Sequence, residues 1–136
     1  MTTFPQGLHE RWRRFRTPVV LLVEKEPAVR EVIQDMVQGA GIEMLTAADA
    51  ETALALGRNP ERRVDLLLTE SDPTGMRAPE MARLLYQSNP IMKIIFMSGK
   101  FDEGFAFMLG EQAERLFLMK PFTRKMLLEK IDSVLG

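Results

Sequence analysis

Six side chains set what chemistry this chain could do. Glu24 and Lys25 follow one apolar run, Glu70 and Asp72 a second, Ser98 a third and Lys120 a fourth. Carboxylates combined with a hydroxyl and ammonium groups suit two tasks, holding a hard cation through oxygen ligands and handling a phosphoryl group. The competing reading is that each is a solvated loop residue. Imidazole and thiol chemistry are excluded more firmly. His9 is the single histidine and there is no cysteine, so neither a His-based triad or metal site nor a disulfide framework can be built.

The elements that must carry these residues are legible from hydrophobic patterning. Val19 to Val23 is a continuous, β-branched-rich run that suits a strand buried on both faces. Pro27 then stands where a helix can open, with Val29, Val32, Ile33, Met36 and Val37 at helical spacing and Gly39 and Gly41 as stops. Ile42 to Ala47 is a second strand, and Asp49 is the N-cap of a helix through Leu54 and Leu56 that ends at Gly57. Val64 to Thr69 is a third strand, followed by a loop of turn-forming residues in which Asp72 precedes Pro73. Pro79 opens a helix through Met81, Leu84 and Leu85 that closes at Asn89-Pro90. Ile91 to Met97 is a fourth strand, a weak helix is expected around Gly104 to Leu109, and Leu116 to Met119 is a fifth strand. Thr123 caps a last helix carrying Met126, Leu127, Ile131 and Val134.

This alternation is (βα)5 and predicts an α/β fold, a doubly wound five-stranded parallel sheet of flavodoxin-like type joined by right-handed crossovers. In such sheets ligands bind beyond the carboxyl ends of the strands, so the six residues are expected to converge on one cleft.

The bulk numbers agree with a single domain. The chain has 136 residues, 46% hydrophobic and 27% charged, enough for a core and for one domain with a short appendage. A formal charge of −1 carries no nucleic-acid signature, and no apolar run approaches the ~18 residues of a membrane span. A cytoplasmic setting is the resulting expectation, without nucleic acid or membrane as partner. Residues 1–17 form a basic arm, with Arg11, Arg13, Arg14 and Arg16 against the single acid Glu10, and with Trp12 and Phe15 three apart. The arm reads either as a docking element or as a loosely packed leader, the usual condition of chain ends. Residues 18–136 make up the domain.

With VVLLVEKEPAVREVI, DLLLTESDPTGM followed by PEMARLL, IIFMSG and LMKPFT in this order and spacing, residues 17–135 resemble the receiver domain of bacterial response regulators in two-component phosphorelay systems. The resemblance is greatest to receivers of the kind attached to hybrid histidine kinases. It implies an acidic pair after the first strand and an aspartate ending the third that hold magnesium, the aspartate also accepting phosphate. A hydroxyl after the fourth strand and a lysine before proline after the fifth then engage the phosphoryl group. Carried over by position, the acidic pair falls on Glu24 and Lys25, the acceptor on Glu70, the hydroxyl on Ser98 and the lysine on Lys120. Phe117 stands at the switching aromatic, and Asp72 falls where a backbone carbonyl normally serves the metal.

Two departures govern the functional expectation. Lys25 puts an ammonium, which has no lone pair while protonated, where a direct metal ligand is expected. Glu70 replaces the acceptor aspartate, and its extra methylene moves the reacting oxygen by about 1.5 Å, where misplacement of about 1 Å can cost a hundredfold. The expectation is a stand-alone, non-catalytic pseudo-receiver acting by protein–protein interaction, with no metal or cofactor. In this layout Lys25 lies where the cation would be and Glu70 reaches toward Lys120, one carboxylate between two ammonium groups.

The runner-up is a working phosphoacceptor using Glu70 or Asp72 with Mg2+. A nucleotide-binding enzyme on the same sheet would need a phosphate-cradling loop rich in Gly, Ser or Thr, and EKEPAV has none. Partner docking, implied by the resemblance, falls on the face of helix four, strand five and helix five. The partner would be a histidine kinase, an output protein or a second copy. Phe101, Phe105, Phe107, Met108, Leu109 and Phe117 enrich that region in apolar surface.

Overall fold

Every residue of β1 (Val19–Val23) is buried, the outcome for an apolar run with no polar alternation. In the computed structural model, which describes residues 17–100 and 110–136, this strand lies inside a parallel sheet of order β2-β1-β3-β4-β5. The other strands are β2 (Glu43–Ala47), β3 (Leu66–Glu70), β4 (Lys93–Ser98) and β5 (Phe117–Met119). The helices are α1 (Pro27–Val37), α2 (Ala50–Gly57), α3 (Ala78–Tyr86), α4 (Ala113–Leu116) and α5 (Arg124–Leu135). The doubly wound architecture expected from the alternation is the one observed.

Alternation along the strands divides the core into two layers. Val20, Leu22, Leu66, Leu68, Ile95, Met97 and Leu118 face α1 and α5, meeting Ile33, Val37, Leu127, Leu128 and Ile131. Leu21, Val23, Leu67, Ile94 and Phe96 face α2 and α3, meeting Ala53, Leu54, Met81 and Leu85. Full burial of each such side chain is worth about 1.5–3 kcal/mol, and Leu22→Ala at the sheet centre would cost about 2–5 kcal/mol.

Helix signals in the sequence act as expected. The Asp49 carboxylate accepts the Thr52 amide at 2.8 Å, and the Thr123 hydroxyl accepts that of Met126 at 3.1 Å, each satisfying an otherwise orphaned donor. Pro27 stands in the first turn of α1, where no amide is needed. Gly39 and Gly41, at φ 76° and 79°, turn the chain from α1 into β2 through a region that side chains disfavour. Gly57 has a packing role instead, since a Cβ there would collide with Leu85 of α3.

Some boundaries differ from the expectation. β3 begins at Leu66 rather than Val64, and β4 at Lys93 rather than Ile91. The cause is Asn89, a buried side chain whose Oδ1 accepts the Val64 amide at 2.8 Å and whose Nδ2 donates to the Gly57 carbonyl at 2.8 Å. With the Asn89 carbonyl accepting the Met92 amide at 3.1 Å, these bonds hold both strand entries in a turn network. α3 opens one residue before Pro79, and Leu116 ends α4 rather than starting β5. The basic arm, apart from Thr17, and the expectations for Gly104 to Leu109, Phe101, Phe105, Phe107 and Met108 lie outside the described residues. Among the described residues no helix is long and apolar enough to cross a membrane.

Candidate functional site

β1 and β3 are adjacent and in register, Val23 opposite Thr69, so the next residues, Glu24 and Glu70, stand side by side at the strand ends. Both follow the alternation that puts Leu22 and Leu68 on the α1/α5 face. Lys120 lies two residues beyond Leu118 of β5, which belongs to the same layer. The period of two in three strands therefore aims two carboxylates and an ammonium into one space. Lys25 enters from the loop after Glu24.

The contacts form two separate pairs. Lys120 Nζ lies 2.6 Å from Glu24 Oε1, a short charge-assisted hydrogen bond on a carboxylate whose side chain is 1% exposed. The other Glu24 oxygen accepts the Glu26 amide at 3.1 Å. Glu70 instead meets Lys25 twice. Its Oε2 accepts the Lys25 amide at 2.6 Å, and its Oε1 lies 3.6 Å from Lys25 Nζ. The expected layout, with Glu70 reaching toward Lys120, is thus corrected. Lys25 does approach Glu70, but Lys120 forms its ion pair with Glu24, and only its charge acts on Glu70. Both carboxylates are buried, Glu24 at 1% and Glu70 at 8% exposure, so each needs a partner of its own.

Burial pushes the Glu70 carboxyl above its ordinary value, and the neighbouring Glu24 charge adds to the rise. The Lys25 amide bond, and the Lys25 and Lys120 charges, pull the other way. Glu70 is therefore a carboxylate that its surroundings desolvate more than they compensate.

The remaining candidates are placed less centrally. Ser98 ends β4, and its hydroxyl accepts the Lys100 amide at 3.3 Å, while its carbonyl accepts the Lys120 amide at 2.7 Å. The second bond ties the Lys120 loop to β4 through backbone alone. Asp72 is exposed in the bend after β3 and belongs to neither pair, in keeping with a turn-forming role. Phe117 is buried in the layer that holds Phe96.

Arg30 is a site residue that sequence reasoning missed. Its guanidinium donates to the Glu24 carbonyl at 2.7 Å, and its amide to the Glu26 carbonyl at 2.9 Å. The available signal was its place in the first turn of α1, just behind the acidic strand end.

A hard divalent cation requires six or more oxygen ligands, mostly uncommitted. Here each carboxylate already has an ammonium partner, and among the described residues no group of three or more His, Cys, Asp or Glu could hold a metal.

Known proteins share this framework. One stretch of the sensor kinase CckA of Brucella abortus (strain 2308) is 34% identical over 116 residues, 85% of this chain, which spans only 12% of that kinase. The signal receiver domain of an HD domain-containing protein from Pseudomonas fluorescens Pf-5 superposes with a TM-score of 0.76 at 25% identity, covering 88% of this chain and 95% of that one. The receiver domain of the hybrid histidine kinase CckA does so with a TM-score of 0.70 at 28% identity, covering 87% and 99%. The family model for the response regulator receiver domain matches residues 20–132. With its strand order, its acids ending β1 and β3 and its Lys-Pro after β5, the chain belongs to the response regulator receiver domain family, the signalling modules of two-component systems.

Proposed function

We propose that this receiver domain signals without accepting phosphate, its cleft locked by the two ion pairs, and that it acts by binding other proteins. The observation that carries the reading is the double engagement of Glu70 by Lys25, at 2.6 Å through the amide and 3.6 Å through the ammonium. An acceptor carboxylate must be free to attack phosphorus while a cation neutralises the charge that develops. Here both oxygens of the only carboxylate at the acceptor position are occupied, and the nearest positive charge is a side chain that cannot ligate a phosphoryl oxygen and Glu70 together as a metal does. Lys120, which the family resemblance assigns to the phosphoryl group, is bound to Glu24. No cofactor and no catalysis enter this reading.

Docking on the expected face, of which β5 and α5 are the described part, is supported by apolar surface there. Met119 and Met126 are exposed, and with Phe117, Leu118, Glu129, Lys130 and Ser133 they line a concavity of about 430 Å³. Methionine is adaptable enough to fit a partner of varied shape. A histidine kinase or an output protein in the same phosphorelay, in the cytoplasm, is the partner class.

The test is to record the amide spectrum with magnesium and acetyl phosphate or beryllofluoride, together with the intact mass. The expected outcome is an unchanged spectrum and no added phosphoryl group. Shifts confined to the β1 and β3 ends, or a phosphoryl group on Glu70 or Asp72, would establish the working phosphoacceptor instead.

A further inference from the structure

The outer side of α1 carries two adjoining surfaces. Ala28, Val29, Val32, Ile33 and Met36, with Lys120, Pro121 and Phe122 of the loop after β5, line an apolar groove of about 310 Å³. Val32 in this groove is 52% exposed, high for a β-branched apolar residue of a packed helix. One strip further round the helix, Glu31, Gln34, Asp35 and Gln38 line a shallow polar concavity. Neither Glu31 nor Asp35 forms an ion pair among the described residues. Of the cations nearby, Lys120 is bound to Glu24, Arg30 to the Glu24 carbonyl, and Arg124 reaches the Gln38 carbonyl at the groove's lower end. The open side of α1 is thus apolar and negative.

The chain itself contains the complement. Arg11-Trp12-Arg13-Arg14-Phe15-Arg16 precedes the described domain, with four arginines, no acid and two aromatic rings three residues apart. Where this segment joins the domain is favourable. The Pro18 carbonyl accepts the amide of Glu43, the first residue of β2, which follows the C-terminal end of α1 by a short turn. Residue 18 and the Met36 end of the groove therefore lie at the same end of the sheet. Trp12, six residues before Pro18, can reach about 20 Å, whereas Val29 to Val37 of α1 extends about 12 Å.

We propose that residues 11–16 dock on α1 of their own chain, Trp12 and Phe15 in the groove and the arginines against Glu31 and Asp35. The contact takes in α1 and the loop that carries Lys120, the two elements that line the groove. Aromatic rings supply the buried area and arginine the charge, which is the usual division of labour at a compact interface.

Trp12 is the only tryptophan, so its emission reports the contact directly. The full chain is expected to show a blue-shifted Trp12 emission protected from iodide. The shift should be lost in E31K/D35K and V32K and weakened by salt, which screens exposed charge. W12A/F15A is expected to move the amides of Val29, Val32, Met36 and Phe122 and to leave those of α2 and α3 in place. Far-UV circular dichroism verifies folding, and if V32K does not fold, the other two variants decide. Exposed-indole emission in the parent chain overturns the proposal, and so do amide changes confined to other elements. A contact that grows with protein concentration while the mass doubles overturns it in favour of a second copy. A blue shift that arises only with anionic vesicles overturns it in favour of a membrane.

Discussion

The two ion pairs of the cleft use the same residue types and do different things. Glu24–Lys120 is short, at 2.6 Å, with the carboxylate sealed off from water, and it links the end of β1 to the end of β5. Lys25–Glu70 is looser, at 3.6 Å, and the Lys25 side chain is 48% exposed, so the more definite bond of Glu70 is to the Lys25 amide. A buried pair is costly to break on one side because the remaining charge has no solvent to fall back on, whereas a half-exposed ammonium at 3.6 Å gives its carboxylate less to lose. The comparison separates a clamp that holds the fold from a plug that fills the reactive position.

The largest effect is expected where the clamp is cut. Lys120→Met should leave Glu24 without its ammonium and lower the unfolding free energy by about 3–5 kcal/mol, read from urea unfolding. A loss below about 1 kcal/mol would place this pair with ordinary surface bridges and erase the contrast. Of intermediate size is the response of the plug to replacement. In K25D/E70D the ammonium is gone and oxygens return, so saturable magnesium binding should emerge in calorimetric titration, absent from the parent. If neither protein binds, Lys25 is not what keeps the cation out. The smallest effect is on pH dependence.

Glu70 is raised above its ordinary value of 4.5 in the fold, so its contribution to stability is complete below that value and is lost as pH rises through the folded-state value. The stability of the parent relative to E70Q should therefore decline as pH rises from about 4.5 toward neutrality, followed by thermal unfolding in matched buffers. A relative stability that rises over this range would mean that Lys25 dominates the burial of Glu70, and that the plug is a clamp after all.

Much of this molecule was legible before any fold was known. β1 has the same limits as the apolar run that announced it, and Asp49 and Thr123 cap the helices they were expected to cap. Glu24, Lys25, Glu70 and Lys120 converge as the strand-end rule requires. What was misread shares one character. The starts of β3 and β4 depend on Asn89, 25 residues from Val64. The place of Arg30 in the first turn of α1 did not by itself name the Glu24 carbonyl as its partner, and Lys120 pairs with Glu24 where Glu70 was expected.

Element type is settled within a few residues, because backbone hydrogen bonding and the periods of 3.6 and 2 are local, and the sequence alone contains them. By itself it therefore determined the (βα)5 order, the two core faces and the set of charged groups brought to one edge. Which ammonium meets which carboxylate is a competition among groups on strands distant in the chain. Its outcome turns on burial and on separations of about an ångström, since the interaction scales inversely with distance and with local polarity. Only the packed sheet supplies those quantities, and so only the tertiary structure decided that Lys120 clamps Glu24 and that Lys25 closes over Glu70.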